Sequence, residues 1–156
     1  VLYKREFIDM NIEILNSAIQ DLHFQIVYDR DEAKEEPGQG QFSYTPANDD
    51  VKKTFGDDVV QAQLNVTYKE DMYDLTATVF AIVRLSGELV GIIERQASDK
   101  GIEDDEQDML NSLNGAVIPA LSAKVRAYAA LLSTEASNFA IMPADFDDSE
   151  ANEPAE

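Results

Sequence analysis

The sequence predicts an α+β fold: a four-stranded antiparallel sheet followed by a kinked helix or helix pair packed on one face. Three observations point there. Four stretches alternate apolar and polar residues with the period of two that one-sided burial of a strand requires. One later stretch spaces its apolar residues three and four apart, as a helix does. No helical pattern separates the strands, which leaves antiparallel pairing with the helices gathered on one side.

The first strand is read over 8–14, where Ile8, Met10, Ile12 and Ile14 share one face and Asp9, Asn11 and Glu13 the other. Asp9 and Glu13 stand roughly 13 Å apart on that wet face, too far for shared proton chemistry and well spaced for a partner's cations. The second strand is read over 22–28, with Leu22, Phe24, Ile26 and Tyr28 inward. Residues 31–57 then read as a long charged loop, interrupted by Phe42, Tyr44 and Phe55. Val60 to Tyr68 alternates cleanly and makes the third strand, which turns at Glu70-Asp71. The fourth runs from Leu75 to Leu85, and because Phe80 and Ile82 break the polarity of its outer side, part of it should be covered on both faces. A short apolar piece, Val90 to Ile93, leads into an acidic loop.

The acidic run from Glu103 to Asp108 suits the positive end of a helix dipole. Leu110, Leu113, Val117, Leu121, Val125, Tyr128 and Leu132 follow as one buried stripe. Pro119 removes a backbone donor and crowds the carbonyl of Gly115, which predicts a bend or break. Phe139 to Phe146 reads as an apolar tail-piece. Residues 1–146 are thus read as a single domain, and 147–156 as an acidic disordered tail.

Composition narrows the function. With 31 acidic against 12 basic residues the net charge is -19, a field that repels phosphate backbones and anionic headgroups and favours protein partners. Nucleic acid is therefore not an expected partner. No apolar stretch is read as reaching the roughly 18 residues of a membrane span, and no signal-like start is evident, so no membrane insertion and a cytoplasmic location are expected. The absence of cysteine excludes thiolate chemistry and cysteine-ligated metals. The single histidine, His23, lies among apolar neighbours, and the carboxylate clusters read as solvated charge runs. A calcium loop starting at Asp29 fails, because Lys34 and Gly40 occupy the glycine and glutamate positions. No enzyme activity, cofactor or metal is expected.

What remains is apolar. Phe42, Tyr44, Phe55, Phe80, Ile82, Ile92 and Ile93 lie outside the main stripes, and they read either as ordinary core and loop packing or, for some of them, as a subunit interface or an apolar groove for another chain.

Three segments carry a resemblance: 4–16, reading KREFIDMNIEILN; the strand 59–68; and Gly115-Ala116, Pro119 and Arg126 with the tail-piece that holds Pro143 and Phe146. In these and in element order the chain resembles the SecB-like superfamily of protein-export chaperones. Its helix and tail are also similar to small proteins of Gram-positive bacteria in that superfamily. The resemblance implies an ATP-independent chaperone that holds unfolded polypeptides, in protein export, as a homodimer or homotetramer. It implies a docking role toward a SecA-type motor for Asp9 and Glu13, which match the family's two acidic residues on the first strand. Phe42, Tyr44, Phe55, Phe80, Ile92 and Ile93 are the candidate polypeptide-binding residues. The alternative reading is a scaffold or adaptor with this fold that binds one specific protein.

Overall fold

A computed structural model describes residues 12–27, 38–70, 72–137 and 143. Strands β1 (Glu13–Ile26), β2 (Gln39–Pro46), β3 (Val59–Lys69) and β4 (Tyr73–Arg84) form one antiparallel sheet in the order β1-β4-β3-β2. Strands β2 to β4 make a meander and β1 lies beside β4, which is the Greek-key order read from its other end. Helix α1 (Asp49–Phe55) joins β2 to β3, and α2 (Gly87–Ala97) and α3 (Asp104–Ser137) follow the sheet. The α+β architecture is as the alternation predicts.

The strand boundaries differ from the sequence reading. One 14-residue strand, β1, replaces the two expected over 8–14 and 22–28; residues 8–11 and Tyr28 lie outside the described residues. Its register against β4 slips between Ile14 and Asn16 and again between Gln20 and His23. Each bulge adds one residue and reverses which parity points inward. The inward set therefore passes from Ile14 to Ser17 and Ile19, then back to Leu22, Phe24 and Ile26, and this double slip hides the strand from a period-two reading. Asp21, at the second slip, takes a positive φ of 51°, a conformation that aspartate tolerates better than most residues.

The other correction concerns the expected loop at 31–57. Residues 39–46 are strand β2, with Gly40, Phe42, Tyr44 and Pro46 opposite Val66, Leu64, Ala62 and Val60 of β3. Asn48 caps α1 by accepting a 2.9 Å bond from the Val51 amide. Gly56 ends that helix at φ 104°, where a Cβ would lie 3.2 Å from Asp58 Oδ1.

The core lies between the inner sheet face and the two long helices. Its central strands contribute Val60, Ala62, Leu64, Val66 and Tyr68 from β3, and Tyr73, Leu75, Ala77, Val79, Ala81 and Val83 from β4, all buried. The piece expected as a short apolar run, Val90 to Ile93, belongs to α2, which Ser86 caps and which buries Leu89, Val90, Ile92 and Ile93. Helix α3 buries Leu110, Leu113, Val117, Ile118, Leu121, Val125 and Ala129. It runs through Pro119 without a break in its helical assignment. Tyr128, expected in the buried stripe, is 45% exposed, and Leu131 is 59% exposed. By length and composition α3 is apolar enough to cross a membrane, with a mean hydropathy of 1.3 in its most apolar window and 33% of that window buried. This corrects the expectation that no stretch reaches that measure.

Candidate functional site

Helix α2 packs over the edge strand β2 and α3 over β4, β1 and β3, and the inner face is nevertheless sealed more fully at the middle of the sheet than at its edges. Inward residues of β3 and β4 are buried, whereas those of the two edge strands, including Ile14, Ile19, Leu22 and Phe24 on β1 and Phe42 and Tyr44 on β2, are only half-buried. Two apolar margins result. On the β1 side Phe24 packs against Tyr73 with ring centroids 5.0 Å apart. On the β2 side Phe42 and Tyr44 meet edge to face at 4.6 Å.

The Tyr44 hydroxyl is buried without a hydrogen-bond partner, and burial holds its phenol neutral far above the usual range. Tyr73 is pushed up to about 12 by burial and, secondarily, by the Glu70 carboxylate. Neither shift suggests acid/base work, because both keep a phenol protonated at any physiological pH.

The expected polypeptide-binding residues separate into four places. Phe42 and Tyr44 share the β2 margin and are the only two in ring contact. Phe55 closes α1 at the end of the sheet, where its carbonyl accepts a 2.9 Å bond from Arg84 Nη2. Phe80 sits on the opposite sheet face, 37% exposed. Ile92 and Ile93 have 0% and 1% exposure and pack in the core; they offer no surface to another chain, contrary to the expectation. A short apolar run cannot be told from a buried helix segment by its pattern alone, which is why they were misplaced.

The expected docking pair is also altered. Asp9 lies outside the described residues. Glu13 does lie on the outer face, but Arg84 Nη1 holds its carboxylate at 3.2 Å, while Arg84 Nε lies 3.5 Å from Asp58. Arg84 thereby joins β1 to the α1–β3 connection. Among the described residues the outer face carries little charge: between Glu13–Arg84 at one end and Lys69–Asp74 at the other, the paired side chains are amides, hydroxyls and His23 around Ala18, Phe80 and Ile82, with Asp21 exposed at the second bulge of β1. It is wet, as expected.

Sequence reasoning missed three features. The β1 margin is concealed by the bulges, and the exposure of Tyr128 is concealed by its place in the three-and-four spacing of the helical stripe, beside which Leu131 is exposed as well. Lys124 of α3 reaches the inner face of β1, where its Nζ lies 2.8 Å from both the carbonyl and the hydroxyl oxygen of Ser17. Among the described residues no group of three or more His, Cys, Asp or Glu could hold a metal.

No family model and no curated protein matches the sequence. Among solved structures, the chain is similar to a protein of unknown function from Streptococcus agalactiae, with 14% identity, 88% of this chain and 98% of that chain covered, and a TM-score of 0.52. It is also similar to the Mycobacterium tuberculosis Rv1957 SecB-like chaperone, seen in complex with a ChAD peptide from the Rv1956 HigA1 antitoxin; identity is 11%, coverage 87% and 88%, and the TM-score 0.48. The likeness to the first, at 14% identity, is one of fold.

Proposed function

We propose that this chain is a SecB-like, ATP-independent protein that holds unfolded polypeptide in the cytoplasm without catalysing a reaction, and that it assembles as a homodimer or homotetramer. The observation that carries the reading is the β2 margin. There Phe42 and Tyr44 form a half-covered apolar shelf directly under a sheet edge. Among the described residues β2 pairs only with β3, so its other edge presents unpaired backbone donors and acceptors. An extended client segment can add to that edge through main-chain bonds and lay alternate side chains on the shelf. Such binding reads backbone and hydrophobicity, and therefore tolerates many sequences.

The field of a -19 chain supports the same reading, since it draws the basic stretches of clients and keeps the loaded protein in solution. Export by a SecA-type motor finds less support, because Glu13 is already held by Arg84. The test is suppression of aggregation of several chemically unfolded proteins at stoichiometric ratios. Protection of many substrates, lost on Phe42→Ser in a chain whose urea midpoint shows it still folded, is the expected result. Protection of none assigns the fold to an adaptor for one partner.

A further inference from the structure

The outer sheet face is unusual for this chain. Four successive rows across β1-β4-β3-β2, bounded by Asn16 and His23 on β1 and by Thr45 and Gln39 on β2, hold no Asp, Glu, Lys or Arg at their sixteen paired positions; the one charged residue of β1 within that span is Asp21, exposed at the second bulge and outside the pairing. Four positions on each of four strands at the chain's 28% charged content would carry roughly four such residues, and solvent-facing positions ordinarily carry more than their share. Near the middle, Phe80 stands beside a shallow hollow of about 320 Å³ lined by Asn16, Ala18, Gln20, Gln61 and Ile82. Around it the amides bond among themselves: Asn65 Oδ1 accepts from Thr78 Oγ1 at 2.9 Å and from Gln63 Nε2 at 3.2 Å.

We infer that this face is where two copies of the chain meet, sheet against sheet, about a two-fold axis near Phe80. Three arguments select a second copy as the occupant. Two molecules of charge -19 repel each other wherever their acidic surfaces approach, and an uncharged face lets them meet at least cost. A basic protein, the kind of partner the overall field attracts, would instead be drawn to the carboxylates elsewhere. Glutamine, asparagine, threonine and serine each carry both donors and acceptors, so a face built of them is complementary to itself, as an isologous contact requires.

The apolar centre fits the same symmetry. A knob and a hollow side by side are exchanged by a two-fold axis, so that each Phe80 ring enters the hollow of the other copy. Four strands about 4.8 Å apart and eight residues of rise make a patch on the order of 500 Å² before side-chain relief is counted, near the lower limit for a stable protein interface. Aligned packing would place the two sheets about 10 Å apart.

The inference rests on the assembly part of the proposed function and is independent of client binding. It is tested by sedimentation equilibrium on the full chain at 0.1 and 1 M salt. The expected mass is twice the 17.3 kDa subunit or a higher multiple, and association should tighten with salt, because screening removes repulsion and no ion pair is lost. Phe80→Asp and Ala18→Lys should each halve the mass while a cooperative urea transition shows the chain still folded, with a midpoint lowered only by the stabilisation that association supplied, whereas Leu131→Asp on α3 should leave the mass unchanged. The chain has no cysteine, so Gln63→Cys gives a single thiol on this face, and a short bismaleimide should link it to its copy. A monomer at both salts overturns this inference and the assembly reading together. An oligomer that survives Phe80→Asp and Ala18→Lys, or that dissociates on Leu131→Asp, overturns this inference alone.

Discussion

Lys124 Nζ donates to both the carbonyl and the hydroxyl oxygen of Ser17, each at 2.8 Å, and so ties the middle of α3 to the centre of β1. Ser17 faces the helix only because the bulge at Leu15 turns an odd-numbered residue inward. A polar residue thus enters the half-buried margin, and a cation on the covering helix satisfies it. Bonds from an ammonium to part-buried oxygens are worth about 1.5–3 kcal/mol. Lys124→Met should therefore lower stability to urea by about 2 kcal/mol, and Ser17→Ala should cost much less in the Lys124→Met background than alone. Additive losses would show that the two side chains act separately.

Arg126, two residues further along α3, donates through Nε to the carbonyl of Pro143 at 2.8 Å. Pro143 is buried, so this bond fastens a residue of the tail-piece to the helix. Arg126→Ala and removal of the chain from Pro143 onward should each destabilise by about 1–2 kcal/mol, and the two changes together by little more than either. A doubled loss in the combined variant would mean that Arg126 stabilises the helix by another route.

Gly56 supplies a third point of attachment, between α1 and β3. Its φ of 104° and the 3.2 Å approach to Asp58 Oδ1 leave a side chain both strained and crowded. Gly56→Ala should cost about 1–2 kcal/mol in urea unfolding. Gly101, where a Cβ meets nothing within 4 Å, is the control and should tolerate alanine.

The phenols give a pH dependence with a definite sign. Tyr73 ionises near the ordinary phenol value of 10.0 when unfolded and only at about 12 when folded. Between those values the unfolded chain has released a proton that the folded chain retains, so stability is level through neutral pH and falls as pH rises above 10. Tyr44, raised for the same reason of burial, adds to the fall. Urea midpoints taken from pH 7 to 12 should show this slope, and Tyr73→Phe should make it shallower. The opposite sign holds for Glu106: its hydrogen bond from Arg95, then that from the Glu103 amide, lowers its pKa below 4.5, so what it contributes is present above that value and is lost as pH falls through the lowered one.

Much of this architecture is legible in the residues, and the parts that are not have physical causes. β3 and the inner side of β4 alternate without interruption because central strands have one covered and one open face, and they were placed correctly. A period-two pattern divides β1 in two because each bulge inverts parity, and a pattern that inverts twice looks like a gap. β2 was lost because Gly40 and Pro46 occupy two of its four inward positions and give no apolar signal, although Gln39, Gln41, Ser43 and Thr45 mark its outer side plainly. Residues 147–156, expected to be a tail, lie outside the described residues. Phe42 and Tyr44 could be singled out as surplus aromatics, but not as neighbours, since nothing short of the strand makes residues two apart share a face. The neutrality of the outer face is readable only once register aligns four strands, because each strand alone looks like ordinary polar alternation.

The β2 margin is the holding surface of the proposed function. The direct measurement is light scattering from a chemically unfolded, aggregation-prone protein diluted into equimolar amounts of this chain or of its Phe42→Ser, Tyr44→Ser and Phe80→Asp variants, each shown to be folded by its urea midpoint. Suppression by the unaltered chain and by Phe80→Asp, with loss of suppression in both β2 variants, is the predicted result. Equal suppression by all four proteins, or by none, would contradict it.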